Sequence, residues 1–241
     1  MKYLRQAFTQ LTILPFSSTE APQPGDSGRA AIWFPLVGLI IGSLLAGGWW
    51  LLSSVFPPIL AAPLTLAFWA LLSGGLHLDG LADCCDGLLC SASPARRLEI
   101  MTDSRLGSFA GVGLVLYLLI KFAAIFSLAP LLAPYIFILA ALISRWLVLL
   151  AGKQPLARLD GMAADFANGL TTRSFLVGAI LPFGFALLGG WRGMAATGLA
   201  VLAALIIFRF TRSRIGGVTG DVFGLTIEIT ELVVLLTYAS R

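Results

Sequence analysis

Charged residues are scarce in this chain. Lysine, arginine, aspartate and glutamate make up 12% of its 241 residues, whereas a soluble domain usually has about a quarter. Apolar residues make up 58%, and the mean hydropathy is +0.93. This composition excludes an ordinary soluble domain, and the long apolar runs indicate an all-α, polytopic integral membrane protein. The net charge of +4 then reflects basic loops beside a membrane rather than a nucleic-acid-binding surface.

Cysteine and histidine are also rare. Cys84, Cys85 and Cys90 lack the spacing of a thiolate metal site, so we expect them to pack as small apolar residues. His77 is the only histidine. On a continuous helix it points about 160° away from Asp79, so it could bind a metal beside that residue only if the helix breaks nearby.

The N-terminal segment lacks the apolar core and the small-residue cleavage site of a signal peptide. We expect residues 1–28 to form an interfacial segment, with an amphipathic helix over 1–16 and a polar loop over 17–28. The sequence shows no internal repeat and no linker. Residues 1–241 are therefore predicted to form one membrane-embedded domain.

Apolar runs predict about seven membrane spans. They cover residues 30–56, 59 into the stretch 74–87, 108–128, 131–152, 173–188, 194–210 and 221–238. Between the second and third spans, residues 91–107 form a connector that can contain a short surface helix.

Basic residues set the orientation, because cytoplasmic loops carry an excess of lysine and arginine. With the N-terminus in the cytoplasm, only Arg192 and Arg241 fall on the outer side. Twelve fall on the inner side: Lys2, Arg5, Arg29, Arg96, Arg97, Arg105, Lys153, Arg158, Arg173, Arg209, Arg212 and Arg214. Every acidic cluster then also lies at the cytoplasmic side.

The first acidic cluster lies in residues 74–87, GGLHLDGLADCCDG. Asp79, Asp83 and Asp86 have the spacing i, i+4, i+7, which places them within about 60° of one another on a helix. Three like charges on one face repel each other, and a divalent metal with a phosphate substrate would stabilise them. The alternative is a solvated acidic helix end.

A second acidic cluster lies in residues 216–231, GGVTGDVFGLTIEITE. Asp221 and Glu228 are seven residues apart and share a helix face, and Glu228 would lie about 10 Å into the helix. A carboxylate at that depth is costly unless it faces a polar cavity, a partner or a cation. The alternative is an ion pair with Arg145 or Lys121.

A third cluster, Asp103-Ser104-Arg105, directly precedes a span. Arg105 could hold a phosphate through two parallel hydrogen bonds. The alternative is a basic anchor beside a helix cap. Together the three clusters predict one cytoplasm-facing acidic pocket that suits phosphoryl transfer with a divalent metal.

Three motifs resemble the cobalamin synthase family, whose members are adenosylcobinamide-GDP ribazoletransferases: HLDGLADCCDG, EIMTDSRLGSFAG and GGVTGDVFGLTIEITEL. The resemblance implies a multi-pass enzyme of the cell inner membrane. Such an enzyme joins adenosylcobinamide-GDP to α-ribazole or α-ribazole 5′-phosphate, releases GMP and needs Mg²⁺. It would contact the lipid bilayer and no nucleic acid. A homo-oligomer or a complex with other cobalamin-assembly enzymes stays open.

Residues 77–107 are then expected to hold the catalytic acidic motif and its connector. The expected catalytic residues are Asp79, Asp83, Asp86, Asp103 and Arg105. The expected Mg²⁺ ligands are Asp79, Asp83, Asp86, Asp221 and Glu228. The expected substrate-binding residues are Arg145, Arg214, Gly217 and Thr219.

Three other functions are alternatives. A CDP-alcohol phosphotransferase has related chemistry, but its motif needs an arginine where Asp83 follows Ala82. A cation-coupled transporter would place its carboxylates near mid-membrane, often with repeat symmetry. A scaffolding subunit leaves the acidic clusters unexplained.

The count of basic residues predicts a cytoplasmic N-terminus and an external C-terminus. Alkaline phosphatase folds only in an oxidising compartment, so a C-terminal fusion should be active, whereas an N-terminal fusion should be inactive. Fusions to a cytoplasm-specific fluorescent reporter should give the reverse pattern. A C-terminal reporter that works only in the cytoplasm would contradict the count of seven spans.

Overall fold

The computed structural model describes residues 1–16 and 23–240, and in these ranges it is helical, with no β-strand. Its helices are α1 Lys2–Leu11, α2 Asp26–Ala30, α3 Phe34–Val55, α4 Pro58–Leu72, α5 Leu76–Leu89, α6 Pro94–Ile100, α7 Ser108–Phe126, α8 Ala133–Ala151, α9 Gly161–Gly169, α10 Thr172–Leu188, α11 Gly190–Ile215 and α12 Gly220–Ala239. A 3₁₀ turn, Ala31–Trp33, joins α2 to α3. The predicted all-α class is confirmed.

Within residues 1–16 and 23–240, five segments are long and apolar enough to cross a membrane: residues 26–55, α7, α8, α11 and α12. Two bent helix pairs raise the number to seven, α4 with α5 at 90° and α9 with α10 at 94°. The structure is therefore consistent with about seven spans.

The sequence predicts that the second span continues straight into the acidic stretch. In the structure it does not. The chain turns at Gly74 and Gly75, whose φ angles are 63° and 75°. This left-handed region is one that residues with a side chain rarely adopt. The acidic helix α5 therefore lies across the end of α4 rather than continuing it.

The N-terminal segment packs against the protein. Helix α1 buries Ala7, Phe8 and Leu11. The predicted loop over 17–28 is partly wrong, because α2 begins at Asp26; residues 17–22 lie outside the described ranges. Asp26 forms an ion pair with Lys2 at 2.8 Å, which ties the start of α2 to α1.

Helix α8 is the most buried of the five straight spans. Helix α3 packs directly on it at Gly38 and Gly42. A methyl group on Gly38 would lie 2.5 Å from the Ala141 carbonyl oxygen, and one on Gly42 would lie 2.5 Å from the Ile138 Cα. In lipid, the hydrophobic effect does not drive helices together. Small residues let the two helices approach closely, and the resulting van der Waals contact holds them together.

A buried ion cluster joins α7, α8 and α12. The Lys121 amine lies 2.8 Å from Glu228 and 2.7 Å from Glu231. Arg145 forms an ion pair with Glu231, and the Tyr117 hydroxyl donates to Glu228. Two positive and two negative side chains balance one another, which makes ionised groups tolerable inside the bundle.

The ion cluster fits the alternative interpretation of Glu228, in which the carboxylate pairs with the intramembrane base Lys121. Arg145 likewise points to Glu231. The structure therefore does not support Glu228 as a metal ligand or Arg145 as a substrate-binding residue.

Replacing Lys121 with methionine should lower the free energy of unfolding by about 3–5 kcal/mol, because it leaves the buried Glu228 carboxylate without its cation. Unfolding by sodium dodecyl sulfate in mild-detergent micelles measures this. Arg96→Met is the control: Arg96 pairs with Glu99 at the surface, where both side chains are about two-thirds exposed, so it should change stability by less than about 1 kcal/mol. Equal effects of the two variants would contradict a stabilising role of the ion cluster.

Candidate active site

The candidate site is built where α5 crosses the start of α12. Gly80 and Gly224 face each other at this crossing. A methyl group on Gly80 would lie 2.8 Å from the Asp221 carbonyl oxygen, and one on Gly224 would lie 3.0 Å from the His77 carbonyl oxygen. The two backbones can approach this closely only without side chains. The contact brings the α5 carboxylates beside Asp221.

Asp79, Asp83 and Asp221 form no ion pair with any residue of the described part of the chain. The negative charges of Asp79, Asp221 and Asp86 all act on Asp83. This arrangement places mutual repulsion at one point of the fold, which a bound cation would relieve.

Asp86 has a different environment. Its carboxylate accepts hydrogen bonds from the backbone amides of Gly107, at 2.7 Å, and Ala110, at 2.9 Å. These amides belong to the N-terminus of α7, where the helix has unpaired N–H groups and a partial positive charge. Asp86 therefore fastens α5 to α7, and this bonding competes with its expected role as a metal ligand.

Asp103 and Arg105 form an exposed pair at the connector. The Arg105 guanidinium donates through Nε and Nη2 to the two Asp103 oxygens, at 3.0 and 2.6 Å. The hydrogen bonds from Arg105 lower the pKa of Asp103 to about 2. Asp103 is thus ionised at neutral pH, and a phosphate that binds Arg105 must compete with it.

Three adjoining cavities surround these residues. The acidic cavity, of about 290 Å³, is lined by Asp79, Asp83, Asp86, Asp103 and Arg105 among others. An apolar cavity lies on the other side of Asp79 and is lined also by His77, Gly80 and Asp221. A third cavity contains Asp221, Thr219, Asp160 and Arg158. Asp79 lines the first two cavities and Asp221 the last two, so one continuous surface connects the motifs.

Of the three remaining predicted substrate-binding residues, one lines a cavity and two do not. The Thr219 hydroxyl lies 3.1 Å from Asp221 Oδ2 and in the third cavity, close to where the sequence had placed substrate. Gly217 instead packs against backbone, since a methyl group there would lie 2.2 Å from the Pro155 carbonyl oxygen. Arg214 lies over the Phe210 ring at 5.3 Å and lines none of the three cavities.

Arg158 was not among the predicted site residues. Its guanidinium donates to the Leu98 carbonyl, at 3.0 Å, and lines the third cavity, where its charge acts on Asp221. Its loop is held by backbone hydrogen bonds of Pro155 and Ala157 with Val218. The only signal in the sequence was a basic residue in a polar loop, which did not indicate its partner.

The carboxylates fit Mg²⁺ in a limited way. Their oxygen ligands suit a hard cation. Within residues 1–16 and 23–240, however, no three acidic, histidine or cysteine side chains lie close enough to hold one ion. Mg²⁺ is commonly bound by one or two carboxylates together with substrate phosphates. Asp79, Asp83 and Asp221 are compatible with that mode.

Comparisons with known proteins agree on one family. The family model described as cobalamin-5-phosphate synthase matches residues 3–239. A protein of Desulfitobacterium hafniense named adenosylcobinamide-GDP ribazoletransferase is 37% identical, over 98% of this chain and 96% of its own. Proteins with the same name from Pseudomonas paraeruginosa and Pseudomonas aeruginosa are 40% and 39% identical, each over 99% of this chain and 98% of its own. No solved structure matches.

Replacing Asp86 with asparagine should destabilise the junction of α5 and α7 by about 1–3 kcal/mol, because the amide cannot accept both backbone hydrogen bonds through its single oxygen. The midpoint of thermal unfolding in detergent measures the loss. Asp103→Asn is the control, since its pair with Arg105 is exposed to solvent and its loss should leave the unfolding midpoint nearly unchanged. An Asp86→Asn protein that unfolds like the parent would rule out the capping role.

Proposed function

Because the chain belongs to the cobalamin-5-phosphate synthase family, we propose that it acts as an adenosylcobinamide-GDP ribazoletransferase. It is a membrane-embedded transferase of cobalamin biosynthesis. In the proposed reaction it joins adenosylcobinamide-GDP to α-ribazole or α-ribazole 5′-phosphate and releases GMP. The products are adenosylcobalamin or its 5′-phosphate.

One observation supports this reaction above the others: two acidic motifs meet where α5 crosses α12, and their residues Asp79, Asp83 and Asp221 form no ion pair in the described part of the chain. Asp79 and Asp83 come from one motif and Asp221 from another, more than 130 residues away in sequence. A merely structural acidic helix end would spread its charges into solvent. A site for a pyrophosphate with its cation needs them together.

The reaction is a displacement at phosphorus. An oxygen of the ribazole hydroxyl forms a bond with the phosphorus joined to cobinamide, and the bond from that phosphorus to the bridging oxygen of GMP breaks. The hydroxyl proton passes to a carboxylate of the acidic surface, and GMP leaves with the bridging oxygen. The chain's contribution is to place the two substrates in line and to balance their charge.

We assign Mg²⁺ binding to Asp79 and Asp83, with Asp221 as the third candidate. Bound Mg²⁺ supplies charge neutralisation of the pyrophosphate and polarises its oxygens. Arg158, beside Asp221, and Arg105, at the mouth of the acidic cavity, are placed to bind phosphate oxygens. Arg105 would exchange its hydrogen bonds with Asp103 for those with substrate.

We propose that the protein lies in the cell inner membrane and that its site is open to the cytoplasm. This orientation is supported by the predicted excess of basic residues at the cytoplasmic side. The acidic and third cavities themselves contain Arg105 and Arg158, two of the twelve residues of that excess. Nucleotide-linked substrates would then reach the site directly from the cytoplasm.

Purified protein in detergent or liposomes should release GMP from adenosylcobinamide-GDP only when α-ribazole or its 5′-phosphate and Mg²⁺ are present. Chelation of Mg²⁺ should stop the release and added Mg²⁺ should restore it. Asp79→Asn and Asp83→Asn should each lower the rate by at least about 10²-fold, because they remove charge stabilisation from the transition state. Radiolabelled GMP gives the rate.

Glu99→Gln is the matched control, since Glu99 is an exposed acid of the neighbouring helix α6 and pairs with Arg96. It should leave the rate nearly unchanged. Near-normal GMP release by Asp83→Asn at low Mg²⁺ would sink the metal-site assignment. Absence of GMP release by the unaltered protein, with both substrates and Mg²⁺, would sink the proposed reaction.

A further inference from the structure

Two residues that line the apolar cavity beside Asp79 have buried polar atoms without a hydrogen-bond partner in the described part of the chain. His77 is 3% exposed, and neither of its ring nitrogens has a hydrogen-bond partner in the described part of the chain. Gln10 Oε1 is buried and likewise unpaired, although its amide nitrogen lies 2.6 Å from the Ser27 hydroxyl. Buried polar groups are nearly always paired, because an unpaired one costs free energy. Two such groups lining one cavity point to a ligand.

The walls of the same cavity are aromatic. Phe34, Phe166 and Phe223 line it, with the ring centroids of Phe34 and Phe166 5.5 Å apart and those of Phe166 and Phe223 5.2 Å apart. These rings come from three different helices. Aromatic surfaces of this kind favour a flat ring system that can stack or contact them edge-on.

The enclosed part of the cavity is about 80 Å³, smaller than a whole nucleoside. Its rim includes Met162, which is 48% exposed. Methionine is unbranched and changes shape readily. The cavity can therefore widen at this rim, on the side of Asp221, without disturbing the buried aromatic walls.

The two principal cavities differ in polarity, and they meet at Asp79. The acidic cavity contains Arg105 and several carboxylates and suits a charged pyrophosphate with its cation. The apolar cavity offers three aromatic rings together with the polar side chains of Gln10, Ser27 and His77, and it shares Asp79 and Asp221 with its neighbouring cavities. Its small, mostly apolar enclosed space suits a weakly polar heteroaromatic ring.

We propose that the apolar cavity binds the nucleoside acceptor of the proposed reaction. Its weakly polar base contacts Phe34, Phe166 and Phe223, and its polar atoms pair with His77 and Gln10. The acceptor hydroxyl then reaches Asp79 from one side while the pyrophosphate lies on the other. This inference rests on the proposed function and assigns His77 and Gln10 to acceptor binding.

Equilibrium dialysis of radiolabelled α-ribazole against the purified full chain, without the GDP-linked substrate, tests the assignment. His77→Leu and Gln10→Leu should each weaken acceptor binding about tenfold, as expected for a lost hydrogen bond to a buried group. The KM for the acceptor should rise in parallel, whereas the KM for adenosylcobinamide-GDP should stay within about twofold. Size-exclusion elution identifies variants that have not folded.

Thr197→Val is the control. Thr197 is a buried hydroxyl residue of α11 that does not line the cavity. It should leave both affinities unchanged. Gln10→Leu, on the peripheral helix α1, keeps the test decisive if His77→Leu does not fold.

Unchanged acceptor affinity in the folded variants would show that the cavity holds water only and would overturn the inference. A selective loss of affinity for the GDP-linked substrate would also overturn it, because the cavity would then take guanine. In both cases GMP release by the unaltered protein would leave the proposed function standing. An unaltered protein that binds no acceptor and releases no GMP would overturn both.

Discussion

The site depends on one contact, the crossing of α5 and α12 at Gly80 and Gly224. Each glycine lies against the backbone of the other helix, so any side chain there would separate the helices. Because Asp79 precedes Gly80 and Asp221 lies one turn before Gly224, separation of the helices would also separate the two acidic motifs. The glycines of these motifs therefore matter for the approach of two backbones more than for the space a ligand needs.

The buried ion cluster stabilises this crossing by fixing the position of α12. It holds α12 to α7 and α8 through Lys121 and Arg145. Asp86 holds α5 to α7 at the cavity end. Helix α12 thus has fixed neighbours along its length, and Asp221 occupies a defined position. Acidic residues of the same motifs thus divide into two kinds: some hold helices together, whereas Asp79, Asp83 and Asp221 line the cavities without forming an ion pair in the described part of the chain.

The sequence predicted the helical class, the approximate spans and the shared face of Asp79, Asp83 and Asp86, because helix periodicity and hydropathy are local properties. It could not choose between a metal and a base for Glu228, since Lys121 lies 107 residues away. It also missed the sharp turn at Gly74 and Gly75. A pair of glycines permits a left-handed turn but equally permits a continuous helix.

The right-angle turns of the two bent helix pairs decide which helices wall the apolar cavity. Helix α5 turns 90° away from α4, and α9 lies at 94° to α10. Helices α5 and α9 both line the apolar cavity, through His77 on one and Phe166 on the other. The cavity is therefore walled in part by helices that run across the direction of their neighbours, so a change in either bend would reshape the proposed acceptor site.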